Sequence, residues 1–157
     1  MRADVVAMRD KLSAAKPGIG RLDAKFGPGR LMDIELLAQT CALITGSFAR
    51  DVIGQLEAGA TGGVLSVSDQ KVLLKAYTVF WSVQAVSRLL SETALDVGKL
   101  GLGGRTFILR ETGLQDEATL ADHLDLQSSL AQDVVERSLG QPGTVTRKGN
   151  ADAIDRG

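Results

Sequence analysis

The sequence predicts an all-α protein, a bundle of about five helices with a short extended segment and a glycine turn near residues 22–29. Two observations carry this. Apolar residues recur at alternating spacings of three and four through most of the chain, the pattern of helices that each bury one face. Glycine and proline punctuate the gaps between those stretches, at Pro17-Gly18, Gly27-Pro28-Gly29, Gly46, residues 59–63, residues 97–104 and Pro142-Gly143. A chain of 157 residues can bury roughly two thirds of its unfolded surface in one core. One folded domain is therefore expected over residues 1–140. The tail, 141–157, is small and charged apart from Val145 and Ile154, and is expected to be disordered.

Residues 2–16 read as an amphipathic helix with Val5, Met8 or Ala7, Leu12 and Ala15 inward, and Arg9, Asp10 and Lys11 elsewhere. A second helix begins near Arg30 and runs to about Thr45. Its apolar face, Ile34, Leu37, Ala38, Cys41 and Ile44, is widened by Leu36 and Leu43, which predicts a place in the middle of the bundle. Glu35 and Gln39, one turn apart, form its polar strip, directed at water or a neighbouring helix, or else at a catalytic domain or ligand. A third helix is expected over residues 48–58, with Ser47 as N-cap and Gly59 as stop.

The longest pattern covers residues 67–95, entered through a capping box at Ser66-Val67-Ser68-Asp69. Leu73, Ala76, Phe80, Val83, Ser87, Leu90 and Ala94 form its stripe, and Tyr77, Phe80 and Trp81 are expected in the core. Residues 97–104 read as a loop. Residues 105–110 fit a helical turn or an extended run equally well. A last helix over residues 116–139 carries Leu120, Leu124, Leu130, Ala131, Val134 and Val135, and Gly140 ends it.

The stretch with the most to say about function is residues 21–39. Leu22 to Phe26 reads as extended, with Leu22 and Phe26 on one face and Asp23 and Lys25 on the other. Gly27-Pro28-Gly29 then makes a tight turn, because proline fixes φ and glycine accepts conformations that other residues resist. Asp33 falls in the first turn of the following helix, where a carboxylate complements the free N–H groups. This brings Lys25 and Asp33 close to one turn, where they either pair with each other or serve a site.

Composition excludes several function classes. With 18 basic and 19 acidic side chains and no block of like charge, the chain offers no footprint for nucleic acid or a membrane surface. No apolar run approaches the roughly 18 residues of a membrane span, and the N-terminus does not read as a signal peptide. Cys41 is the single cysteine, so no disulfide closes within the chain and a reducing compartment, the cytoplasm, is expected. One His and one Cys, far apart, give no metal set. His123 reads as a solvated residue in an acidic stretch, and Cys41 as a small buried hydrophobe. No catalytic residue is assigned.

The run K-F-G-P-G-R-L-M-D-I-E, with Gln39 after it, resembles the K-x-G-x-G-G-(hydrophobic)-x-D-I-E…Q signature of the glutamine synthetase adenylyltransferase family. In that family the signature follows each nucleotidyltransferase domain and opens a helical domain shared with the protein-PII uridylyltransferases. Arg30 stands where the family has a further glycine, which argues against a close backbone approach at this turn and adds a positive charge. Gly63-Val64-Leu65, Leu74-Lys75-Ala76-Tyr77, Arg88-Leu89-Leu90 and residues 134–139 extend the likeness more weakly.

The resemblance marks Lys25, Gly27, Gly29, Arg30, Asp33, Glu35 and Gln39 as positions facing phosphate or another domain. It implies that this chain is the helical regulatory and docking domain of an enzyme using ATP and magnesium, with glutamine synthetase and the PII signal protein as partners. Nothing in the chain matches the G-S…D-x-D motif that carries the catalytic carboxylates. That module is expected upstream of Met1, leaving this chain inactive alone and without a cofactor of its own. A free-standing helical interaction module and the equivalent domain of a PII uridylyltransferase are the alternatives.

Overall fold

A computed structural model describes residues 1–18, 20–90 and 102–140. These form an all-α bundle of six helices, α1 (Arg2–Ala15), α2 (Leu31–Thr45), α3 (Val52–Thr61), α4 (Val67–Leu90), α5 (Leu102–Thr112) and α6 (Glu117–Leu139), with no strand among the described residues. The end of the fourth expected helix, the loop through residue 101 and the tail from 141 onward lie outside the described residues.

Helix α2 is central, packing against α1, α3, α4 and α6, while α4 and α6 pack along each other. Ile34, Leu37, Ala38 and Cys41 of α2 meet Leu73, Ala76, Phe80 and Val83 of α4 and Leu124, Ala131, Val134 and Val135 of α6 in one continuous core. The alternating three and four spacing of these positions places them on one side of each helix. Ser66 accepts the Asp69 N–H at 3.0 Å and starts α4 as expected, and Asp116 does the same for α6 through the Thr119 N–H at 2.7 Å. Residues 102–110, read as loop and then left open, are helical as part of α5.

Several packing expectations are corrected. On α1, Val5 is buried but Met8 and Ala15 are exposed, and Arg9 turns inward instead. The face Val5, Arg9, Leu12 has the same periodicity, and an ion pair described below outweighs the apolar preference for Met8. Leu43 and Ile44 lie on the solvent side of α2, and Trp81 and Leu130 are exposed as well. Helix α3 starts at Val52, four residues later than expected, with Phe48 in the connecting loop almost wholly exposed. Ser47 accepts the Ala49 N–H and so shapes that loop rather than capping the helix.

Gly59 lies inside α3 rather than ending it. A Cβ there would sit 2.7 Å from Cys41 Sγ, so the glycine lets α3 close on α2.

Candidate functional site

The segment 21–30 is not extended. The Asp23 carboxylate, buried rather than solvent-facing, accepts the N–H groups of Lys25 at 3.0 Å and Phe26 at 3.1 Å and curls the chain into an Asx-type turn. The N–H of Arg30 then bonds the Gly27 carbonyl at 3.2 Å across Pro28 and Gly29, with Gly29 at φ +70°. Proline at the second position and a positive-φ glycine at the third are the requirements of a type II turn.

This turn also starts α2. Helix entry leaves the first N–H groups without partners. Here the folded-back segment supplies them: Leu31 N–H bonds the Ala24 carbonyl and Met32 N–H the Lys25 carbonyl, both at 3.1 Å. Asp33 reaches back to accept the Gly29 N–H at 2.8 Å. Its pairing partner is Arg9 of α1, not Lys25, with Nε to Oδ1 at 3.0 Å and Nη2 to Oδ2 at 2.8 Å. The hydrogen bond to Asp33 holds the Arg9 guanidinium above its ordinary pKa, against the opposing effect of burial. Glu136 of α6 lies 3.9 Å from the same guanidinium. Asp33 is thus a buried joint between α1, the turn and α2.

Arg30 is buried rather than solvent-facing. Its Nη1 donates to the carbonyls of Arg21 at 2.8 Å and Asp23 at 2.6 Å, and its Nη2 meets Asp125 of α6 at 3.3 Å, with the guanidinium 5.6 Å from the Phe80 ring centre. Burial pulls its pKa below the ordinary arginine value, while Asp125 and Asp23 oppose that pull. Arg21, outside, bridges Asp122 and Asp125. Against the expectation drawn from Arg30, the turn does make a close backbone approach, at Gly29. A Cβ there would collide with the Ser128 carbonyl and lie 2.7 Å from the Gln132 nitrogen of α6.

Lys25 instead lies against Phe26, its Nζ 5.2 Å from the ring centre, and Lys16, just past α1, reaches the same ring at the same distance. Lys16, but not Lys25, lines a cleft between α1 and the turn together with Arg9, Leu12, Ser13, Phe26, Gly27 and Met32. Sequence reasoning missed Arg9 and Lys16. Their signal was positional, since Val5, Arg9, Leu12 and Lys16 follow one face of α1 toward the turn.

Glu35 and Gln39 sit away from this cleft. Glu35 is half-buried on the side of α2 nearest Tyr77, whose phenol is held above its ordinary pKa by burial and by Glu35 and Asp51. Gln39 is exposed. Cys41 is fully buried and its thiol is pushed up to about 11 by that burial. Among the described residues no group of three or more His, Cys, Asp or Glu could hold a metal ion, and no helix is long and apolar enough to cross a membrane.

The model of the GlnD PII-uridylyltransferase family matches residues 7–137. The chain belongs to that family. The matched span runs from the middle of α1 to the last turn of α6, so PII-uridylyltransferase family membership is a property of the whole bundle and not of the turn alone. It establishes the helical domain that the two enzyme classes named above share, without singling out the adenylyltransferase. No curated protein matches the chain.

Proposed function

We propose that this chain is the helical, non-catalytic domain of a nucleotidyltransferase that attaches a nucleotide to a nitrogen-regulatory protein. One observation carries the reading: a PII-uridylyltransferase family match over residues 7–137 in a chain that lacks the G-S…D-x-D carboxylate motif. Nucleotidyl transfer needs carboxylates that hold metal ions on the triphosphate. A chain without them serves by positioning. The rigid unit of α1, the turn and α2, held by Arg9, Asp33 and Arg30, is suited to that task because its side chains are locked by packing and hydrogen bonds.

The family match favours an enzyme of the uridylyltransferase type acting on PII protein. A second reading has its own support. The run from Lys25 to Glu35 with Gln39 resembles the adenylyltransferase signature, which makes the parent an ATP- and magnesium-dependent enzyme of the cytoplasm acting on glutamine synthetase, with PII as regulator.

One experiment separates them. The chain is mixed with the nucleotidyltransferase domain encoded upstream, and transfer of labelled UMP to PII and of labelled AMP to glutamine synthetase are both scored. Stimulated transfer to PII supports the first reading, and stimulated transfer to glutamine synthetase the second. No stimulation of either, with both pieces folded, or the absence of any upstream nucleotidyltransferase domain, leaves a free-standing interaction module and defeats the proposal.

A further inference from the structure

The loop between α2 and α3 presents apolar side chains that the bundle does not cover. Phe48 is 98% exposed, Leu43 and Ile44 in the last turn of α2 are 68% and 37% exposed, and Ile53 in the first turn of α3 is 52% exposed. The loop is nevertheless tied down on both sides of Phe48. The Ser47 N–H bonds the Ala42 carbonyl at 2.9 Å, the Ser47 hydroxyl accepts the Ala49 N–H at 3.2 Å, and the Gln55 amide donates to the Ala49 carbonyl at 3.1 Å. Phe48 is thus held out from an anchored backbone. A ring left in water contributes nothing to the core, whereas an aromatic side chain presented in this way is the usual anchor of an interface.

The charges beside these residues are unspent. Arg50 and Glu57 are both exposed, and neither makes an ion pair among the described residues. Ile53 and Glu57, four positions apart in α3, share one face of the helix, and Arg50 stands just before its start. This edge therefore reads positive, apolar, negative along the chain. Such a row is complementary to itself when reversed. A two-fold axis near Ile53 sets Arg50 against Glu57 of a second copy, twice, with the apolar side chains of both copies between them. The area also suffices: the four apolar residues leave on the order of 400 Å² in water per copy. Covered by a second copy, with a polar rim in the usual proportion, that surface makes an interface of roughly 1,300 Å², at the low end of specific complexes.

We infer that the α2–α3 edge is a two-fold interface between two copies of this chain, centred on Phe48 and Ile53 and closed at its rim by Arg50–Glu57 pairs. An interface of this size with exposed rim pairs gives a dimer that forms at micromolar concentration. The inference goes beyond the proposed function and does not depend on it.

The test is sedimentation equilibrium of the 157-residue protein over about 5 to 500 μM, where the mass should rise from 16.6 kDa toward that of a dimer. Phe48→Ser should raise the dissociation constant at least about tenfold, because it removes the anchor. Trp81→Ser, which removes an exposed aromatic from α4 instead, should leave it unchanged. Arg50→Glu and Glu57→Arg each set like charges against one another at both rim contacts, so each variant alone should dimerise more weakly than the parent protein. Mixed in equal amounts, the two variants carry opposite charges at both contacts, and a mixed dimer should form. All four substitutions fall at exposed positions and should leave the helical circular dichroism unchanged. A protein that stays monomeric at about 500 μM, a dimer that Phe48→Ser leaves intact, or two charge variants that do not recover association on mixing would each overturn the inference.

Discussion

Arg9 and Asp33, 24 positions apart, form a two-pronged ion pair, Nε to Oδ1 at 3.0 Å and Nη2 to Oδ2 at 2.8 Å, and the same carboxylate accepts the Gly29 N–H. One carboxylate thereby fixes α1, the glycine turn and the start of α2. Its geometry needs a planar fork, which lysine cannot reproduce. Arg9→Met should cost about 2 kcal/mol in urea unfolding, the cost of leaving a mostly buried carboxylate without its partner. Arg9→Lys should recover only part of it. Asp33→Asn should also destabilise the fold, so reduced transfer in that variant would not by itself assign Asp33 a role at a site. Equal stability of Arg9→Met and the parent protein would remove the pair from the account of the fold.

Gly29 and Gly46 make a matched comparison, since both have φ near +70°. At Gly46 a Cβ would meet nothing, so Gly46→Ala should cost only the left-handed backbone penalty, about 1 kcal/mol. At Gly29 the Cβ would enter the backbone of α6 at Ser128 and Gln132, where no flexible side chain can yield. Gly29→Ala should exceed about 4 kcal/mol or prevent folding. Thermal unfolding of the two variants side by side decides it, and similar losses would mean that α6 does not press on the turn.

Arg30 and Arg21 both reach Asp125, yet they differ in burial, with side chains 9% and 57% exposed. Arg30→Gly, the residue the adenylyltransferase signature carries, removes two carbonyl hydrogen bonds and should cost about 2 kcal/mol. Arg21→Ala should change little, because its ion pairs are screened by water. A larger loss from Arg21→Ala than from Arg30→Gly would reverse this assignment.

These residues also show what the sequence could reveal. The periodicity of α2, α4 and α6 placed nearly all of the core, because burial of one helix face depends only on spacing within the helix. Periodicity also placed Met8 of α1, Trp81 of α4 and Leu130 of α6 inward and they are exposed, since which edge of an apolar face meets a neighbour depends on the crossing of the helices. The turn at Gly27-Pro28-Gly29 was legible from local chemistry. Its partners were not: Asp33 to Arg9 and Arg30 to Asp125 span 24 and 95 positions, and nothing local to either residue encodes them. Lys25 was marked by resemblance, whereas Lys16 became visible only when the fold brought both to one ring.

Cys41 gives a pH prediction with a definite sign. Its thiol is fully buried against Gly59 of α3, and burial raises its pKa from 9.0 to about 11. Below pH 9 the thiol is protonated in both folded and unfolded chains and contributes no pH dependence. Between pH 9 and about 11 the unfolded chain releases the proton while the folded chain keeps it, so stability falls as pH rises. The total loss should approach about 2 kcal/mol, following from 1.36 kcal/mol per pKa unit as an approximate upper slope. Cys41→Ala lacks this titration, although it loses packing against α3 at every pH. The stability gap between the parent protein and Cys41→Ala should therefore narrow from pH 8.5 to about pH 11 in urea unfolding. Other groups that ionise in this range, Tyr77 among them, are common to both proteins and cancel in the difference. Parallel profiles would show that the thiol ionises as readily in the folded chain as in the unfolded one, which a side chain sealed between α2 and α3 should not do.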